Sequence, residues 1–453
     1  MSKYHAIKDD EESVLPGSSS QGNRRSIEPS TPLLSGSNTD EVQIEIEDEP
    51  GSASSFSCVI NLANTILGTG MLAMPAAVAS VGLIFGSLMI IYAGTASALG
   101  LYLLSRAAAK TGGRRSSFFA VSKLTYPWAA IYFDLAIAVK CFGVGTSYLI
   151  IIGELMPEVV AASVWGAEYD LLLDRRFWIT VFMLVIIPLA FLKKLDSLRY
   201  TSLLALVAIV YLIVIVIYNY FGPDYRAPPS DKIHFVRFSS KFFTYLPIFV
   251  FAFTCHQNVF TIYNEVGDNS QTNINKIVFG SIGSSAMVYQ VIGILGYLTF
   301  GEDVSANIIS MYTPNTFITI GRIGFVICVL FSFPLQCHPC RACLDKIISA
   351  ITTNDTDANK PSDLKYFLMT SGILIASYLI AIIVSQLDLV LSFVGSTGST
   401  AISFILPGLF YYKLYQDDPW DKEKIVSVCL AGYGCVVMVV CLTMNVLRVS
   451  AGH

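Results

Sequence analysis

Charge is scarce in this sequence. Of 453 residues only 14% are Asp, Glu, Lys or Arg, while 54% are hydrophobic and the mean hydropathy is +0.60. A water-soluble domain carries about 25% charged residues, so the solvent implied here is a lipid bilayer. Catalytic machinery is missing too. No nucleophile, base and orienting group fall at catalytic spacing and no phosphate-cradling glycine loop is present, which argues against an enzyme and leaves no cofactor or nucleic-acid partner to expect.

Further absences narrow the compartment. The ten cysteines (Cys58, Cys141, Cys255, Cys328, Cys337, Cys340, Cys343, Cys429, Cys435 and Cys441) all fall inside apolar runs. None lies in a predicted luminal loop, so no disulfide framework is expected. The single Asn-x-Ser/Thr sequon, Asn354 with Thr356, sits in a predicted cytosolic loop, so no luminal glycosylation is expected. No early apolar run has the form of a cleavable signal peptide, and the first span is expected to act as the insertion signal.

What the chain does have is apolar runs of about 20 residues, each long enough to cross a hydrocarbon core of roughly 30 Å as a helix. Eleven are predicted, over 56–79, 82–106, 125–155, 177–193, 199–221, 242–265, 275–300, 315–346, 365–386, 388–413 and 425–447. Before them, residues 1–55 are rich in Ser, Pro, Gly, Asp and Glu, without any apolar period that could form a core. That tail is expected to be disordered. Its four basic residues (Lys3, Lys8, Arg24 and Arg25) stand against eleven acids, a net charge of −7 in a chain whose total is −4.

Lys and Arg mark the cytosolic ends of membrane spans. Arg106, Lys110, Arg114 and Arg115 follow span two, and Lys193, Lys194 and Arg199 follow span four. On the opposite side, the loop after span three is acidic on balance, with Glu154, Glu158, Glu168, Asp170 and Asp174 against Arg175 and Arg176, and Glu302 and Asp303 follow span seven. The N-terminus is therefore expected in the cytosol and the C-terminus in the lumen.

Spans one to five begin near 56, 82, 125, 177 and 199, and spans six to ten near 242, 275, 315, 365 and 388. This spacing implies two five-helix halves, 56–221 and 242–413, with 425–447 an added helix. Five is odd, so the second half enters the membrane from the other side, as in inverted-repeat secondary transporters. Such folds interrupt the first helix of each half near the midplane. Span one supplies NTILGTGMLAMPAA, residues 64–77, with Gly68, Thr69, Gly70 and Pro75; span six supplies TCHQN, residues 254–258. A half-helix starting at Gly70 would aim unpaired N–H groups and a positive dipole end at the break, a ready site for a carboxylate.

Other polar features lie within the spans. Asp134 and Lys140 in span three are six positions apart and do not share a helical face. His256 stands beside the second break, where a group titrating near neutrality could carry a proton, or could simply bond between helices. CHPCRAC, residues 337–343, has the look of a metal box, but Pro339 and Arg341 interrupt it and no second cluster completes four ligands. It reads better as a helix end with an Arg anchor in the cytosol. The small residues of span ten, Gly395 and Gly398 among Ser and Thr, read mainly as packing positions.

Taken in order, NLANTILGTGMLAMP at 61–75, CFGVGTSYLIIIGELMP at 141–157, TFGEDV at 299–304 and GSTGSTAISFILPGLFYYKL at 395–414 resemble the amino acid/auxin permease family. Within it they look most like fungal vacuolar amino acid transporters. The resemblance implies an all-α leucine-transporter type fold of eleven helices, with helices one and six broken, and transport of amino acids coupled to H+ or Na+. It carries substrate binding onto Asn64, Thr65, Gly68, Thr69 and Gly70, and by position onto Thr254, Cys255 and His256. Ion coupling falls on Asn64, His256 and Ser332. The expectation is a monomeric, proton-coupled exporter of neutral amino acids in the vacuolar or lysosomal membrane. A plasma-membrane importer and an amino acid sensor signalling through the tail are the alternatives.

Overall fold

The computed structural model describes residues 51–112, 114–162, 169–192, 201–223, 225–239, 241–352 and 363–451. Most of the acidic tail, the sequon and the loop basics Lys193, Lys194 and Arg199 lie outside the described residues. The last few residues assigned to the tail are ordered. Ala53 bonds the chain near Val266, its N–H reaching Glu265 O at 3.0 Å and its carbonyl accepting Gly267 N–H at 2.9 Å.

Sixteen α-helices make up the described chain: α1 Ser55–Ile66, α2 Gly70–Val81, α3 Leu83–Lys110, α4 Phe118–Leu124, α5 Ala130–Ala161, α6 Arg175–Ala190, α7 Thr201–Phe221, α8 Lys241–Ala252, α9 Val259–Glu265, α10 Gln271–Phe300, α11 Ile308–Met311, α12 Thr316–Thr352, α13 Asp363–Ile383, α14 Leu387–Val394, α15 Leu406–Leu414 and α16 Lys422–Ser450. Two π-helical turns, Gly395–Ser399 and Ala401–Ile405, join α14 to α15.

The spacing repeat is visible in these helices. Those beginning at 55, 83, 130, 175 and 201 are answered by others at 241, 271, 316, 363 and 387, a constant offset of 186 to 188 residues. Nine helices among the described residues are long and apolar enough to cross a membrane, and α1 with α2 makes a tenth. The predicted fourth span corresponds to α6, whose 16 residues reach only about 24 Å at 1.5 Å per residue. The count of eleven therefore rests on α6 together with residues outside the described set. Glu154 and Glu158, read as loop acids, belong to α5, and Arg106 and Lys110 belong to α3.

Burial separates the helices by role. Every residue of α2 is buried, whereas α7, α13 and α16 turn large apolar side chains outward, such as Leu203, Phe367 and Val439. Those outer helices suit a lipid surroundings, and α2, the second part of the broken first span, is buried within the protein. Close approach at the centre depends on missing Cβ atoms: one built on Gly398 would stand 2.6 Å from Ala136 O of α5, and one on Gly145 would stand 3.3 Å from the Phe333 ring of α12. The glycines of span ten are thus packing positions.

Candidate functional site

The first span breaks where its glycines cluster. Helix α1 ends with Leu67 N–H on Ala63 O at 2.8 Å, and Gly68 N–H turns back onto Ile66 O at 2.8 Å. Helix α2 then restarts at 60° to α1, with Met71 N–H on Gly68 O and Leu72 N–H on Thr69 O, both 3.2 Å. The N–H groups of Thr69 and Gly70 meet no hydrogen-bond partner among the described residues. They are unpaired donors of a buried helix N-terminus, carrying its partial positive charge.

The second span is interrupted differently. Helix α8 stops at Ala252 and a short 3-10 turn, His256–Asn258, leads into α9, with the two parts continuing as one span of 25 residues. Its loose carbonyls are capped: Phe251 O accepts Thr254 N–H at 3.0 Å, Val250 O accepts the Thr254 hydroxyl at 2.8 Å and Phe253 O accepts the Ser97 hydroxyl at 2.8 Å. Tyr289 of α10 ties the breaks together. Its hydroxyl lies 2.6 Å from Ile66 O and 2.8 Å from Ala252 O, the last carbonyls of α1 and α8. No motif pointed to Tyr289.

Both breaks border a cavity of about 640 Å³, within the range of small-molecule sites. Of the residues expected to bind substrate, Asn64, Thr65, Gly68, Thr69 and Thr254 line it while Gly70, Cys255 and His256 do not, and Ser332, expected for the ion, lines it too. Gln257 and Asn258, two further members of TCHQN, also line it. Asn258 Nδ2 donates to Thr65 Oγ1 at 2.8 Å across the breaks. Among the described residues, three buried oxygens around this cavity have no hydrogen-bond partner: Asn64 Oδ1, Thr69 Oγ1 and Gln257 Oε1. Buried polar atoms are seldom left so, and together they offer acceptors beside the free donors of Thr69 and Gly70.

His256 is fully engaged elsewhere. Its Nε2 lies 3.1 Å from Ser97 O and its Nδ1 3.1 Å from Ser403 Oγ, so the imidazole bonds between helices. The two ionisable residues of span three both reach the cavity without meeting each other. Asp134 pairs with Lys346 of α12 at 3.6 Å, while Lys140, only 5% exposed, makes no side-chain hydrogen bond or ion pair among the described residues. In CHPCRAC, His338 faces the cavity, and Arg341 is no cytosolic anchor. Arg341 is buried, donating to Ala190 O at 3.2 Å and Thr370 Oγ1 at 3.1 Å over the Tyr366 ring.

A family model described as transmembrane amino acid transporter protein matches residues 51–449. This chain belongs to that family. It is 45% identical over 412 residues to vacuolar amino acid transporter 5 of Schizosaccharomyces pombe, covering 88% of this chain and 96% of that one. To vacuolar amino acid transporter 6 of Saccharomyces cerevisiae it is 38% identical over 449 residues, covering 86% and 98%. Among solved structures, MhsT in complex with L-phenylalanine superposes with a TM-score of 0.56 at 11% identity, over 87% of this chain and 99% of that one. That likeness shows a leucine-transporter type fold. The family is one of transporters, not of enzymes.

The cavity of this amino acid transporter is lined along α5 from Asp134 to Tyr148 and along α12 from Lys346 to Phe325. Asp134 and Lys346 mark one end of that lining. Glu154 on α5 and Arg322 on α12 lie about 30 Å or more further along the same helices and fasten a plug there. Glu154 accepts from Asn307 Nδ2 at 2.9 Å and the Ser310 hydroxyl at 3.2 Å. Arg322, wholly buried, donates to the carbonyls of Ile309, Ser310 and Tyr312 at 3.2, 2.9 and 2.8 Å.

Proposed function

We propose that this protein exports neutral amino acids from the vacuolar lumen to the cytosol by alternating access, in symport with protons. The observation that carries the reading is the first break. Two unpaired N–H groups, on Thr69 and Gly70, stand beside three unpaired oxygens, Asn64 Oδ1, Thr69 Oγ1 and Gln257 Oε1. A zwitterion supplies what each set lacks, a carboxylate for the donors and an ammonium for the acceptors. Apolar neighbours in the cavity, including Ile66, Val144, Phe251 and Phe325, suit an uncharged side chain.

The names of the fungal relatives support the vacuole as the compartment. Basic residues favour the cytosol, and the lined end of the cavity shares its face with Lys346 and with the end of α3 that carries Arg106 and Lys110. On this reading the described state faces the cytosol, with the Glu154 and Arg322 plug closing the luminal side. Asn64 and Ser332 are the residues that would serve Na+, and the test includes that ion.

Uptake of a panel of labelled amino acids into proteoliposomes, under an imposed pH gradient and separately under a Na+ gradient, decides the matter. Proton-driven movement of neutral amino acids is expected. Transport driven by Na+ alone, or surface staining of the full-length protein in cells, would sink the reading.

A further inference from the structure

With both nitrogens of His256 bonded to Ser97 and Ser403, the coupling proton needs another carrier. We infer that Lys140 of α5 is that carrier, its amine taking a proton from the lumen when the amino acid binds and returning it to the cytosol on release. The inference rests on the proton-coupled reading above and names the residue that performs it.

Lys140 lines the cavity and is 5% exposed, yet no hydrogen bond or ion pair holds its side chain among the described residues. Both carboxylates of its own helix that lie inward are committed elsewhere, Asp134 to Lys346 and Glu154 to Asn307 and Ser310. Asp388 of α14 is held by Arg448 at 2.8 Å. The remaining titratable groups beside Lys140 or lining its cavity are thiols, a phenol and imidazoles: Cys141 and Tyr148 on α5, Cys255 and His256 at the second break, and Cys328, His338 and Cys343 on α12. The π-helical turns packed on its backbone through Gly398 carry no ionisable side chain.

An ammonium buried without a counter-charge is costly, whereas the neutral amine is not. A carboxylate arriving in the same cavity changes that balance, because it stabilises the protonated form. By linkage, the proton then raises substrate affinity by the same factor that the substrate raises proton affinity. The chemistry is one N–H bond formed from luminal water's proton and broken again toward cytosolic water. No other reactant is required.

The test measures substrate affinity against pH, and proton movement with a trapped pH dye, in proteoliposomes holding wild type, Lys140→Met or Lys140→Arg. Wild type should bind a transported amino acid more tightly as pH falls, and should carry protons with it. Both variants should show a flat pH profile, with binding weakened in Lys140→Met and kept tight in Lys140→Arg, whose charge is permanent, together with counterflow without accompanying protons and loss of acceleration by a pH gradient. Arginine keeps charge and bulk, so one of the pair reports even where removing the charge costs the fold. Retention of proton-driven uptake by either variant overturns the role of Lys140 alone. Absence of proton coupling in wild type overturns the transport reading as well. Loss of only dicarboxylic amino acids, with coupling kept, would make Lys140 a selectivity residue and overturn the inference.

Discussion

Gly70 and Ala252 bring the two helix breaks into contact. A Cβ built on Gly70 would stand 3.0 Å from Ala252 Cα and 3.1 Å from its Cβ, backbone against backbone. Gly68, two residues earlier, has open space within 4 Å. The glycines of one motif therefore serve different ends, one for packing and one facing the cavity.

That difference predicts opposite responses to substitution. Gly70→Ala should cost about 1–3 kcal/mol through overpacking, with Gly70→Leu failing to yield stable protein. Gly68→Ala should fold normally but raise the KM for transport. Thermal unfolding of the detergent-solubilised variants beside uptake kinetics separates the cases.

Tyr289→Phe removes the one hydroxyl that serves both Ile66 O and Ala252 O. Ile66 O keeps its bond from Gly68 N–H, so one buried acceptor, Ala252 O, is left bare, at a cost of about 1–3 kcal/mol. The expected result is a lower melting temperature with slowed transport, and an unchanged melting curve would contradict the staple.

Asn64→Ala and Gln257→Ala delete acceptors that have no hydrogen-bond partner among the described residues. Removing an unpaired buried oxygen should leave stability unaltered or slightly improved. Substrate affinity should fall about tenfold for each, the equivalent of 1.4 kcal/mol. Equilibrium binding of labelled substrate checks this.

Arg322→Lys tests the plug at the far end of α12. Guanidinium reaches three carbonyls as a rigid fork, and an ammonium cannot reproduce that geometry. The variant should open more often on that side, seen as faster labelling of a cysteine introduced at Asn307. Labelling at the wild-type rate would show that other contacts hold the plug.

Much of this protein was legible in its residues. Hydropathy named the solvent, residue spacing named the repeat, and the Gly68, Gly70 and Pro75 cluster named the break, because each is a local or periodic signal along the chain. Motifs carried the family. What the chain could not announce was the direction each polar side chain takes at a break. In TCHQN, His256 turns toward Ser97 and Ser403, while Gln257 turns into the cavity. An interrupted helix has no fixed period from which to read such directions, and packing against α3 and the π-helical turns decides them. Lys140 was visible as a charge in a membrane, but packing decides that no carboxylate of another helix reaches it among the described residues, Asp388 of α14 being held by Arg448. Tyr289 joins carbonyls 223 and 37 residues away. The contact to Ile66 exists only once the two halves have folded against each other, and that to Ala252 only once α8 and α10 have packed, so the membrane, the repeat and the break belong to the sequence, and the site's working atoms to the tertiary structure.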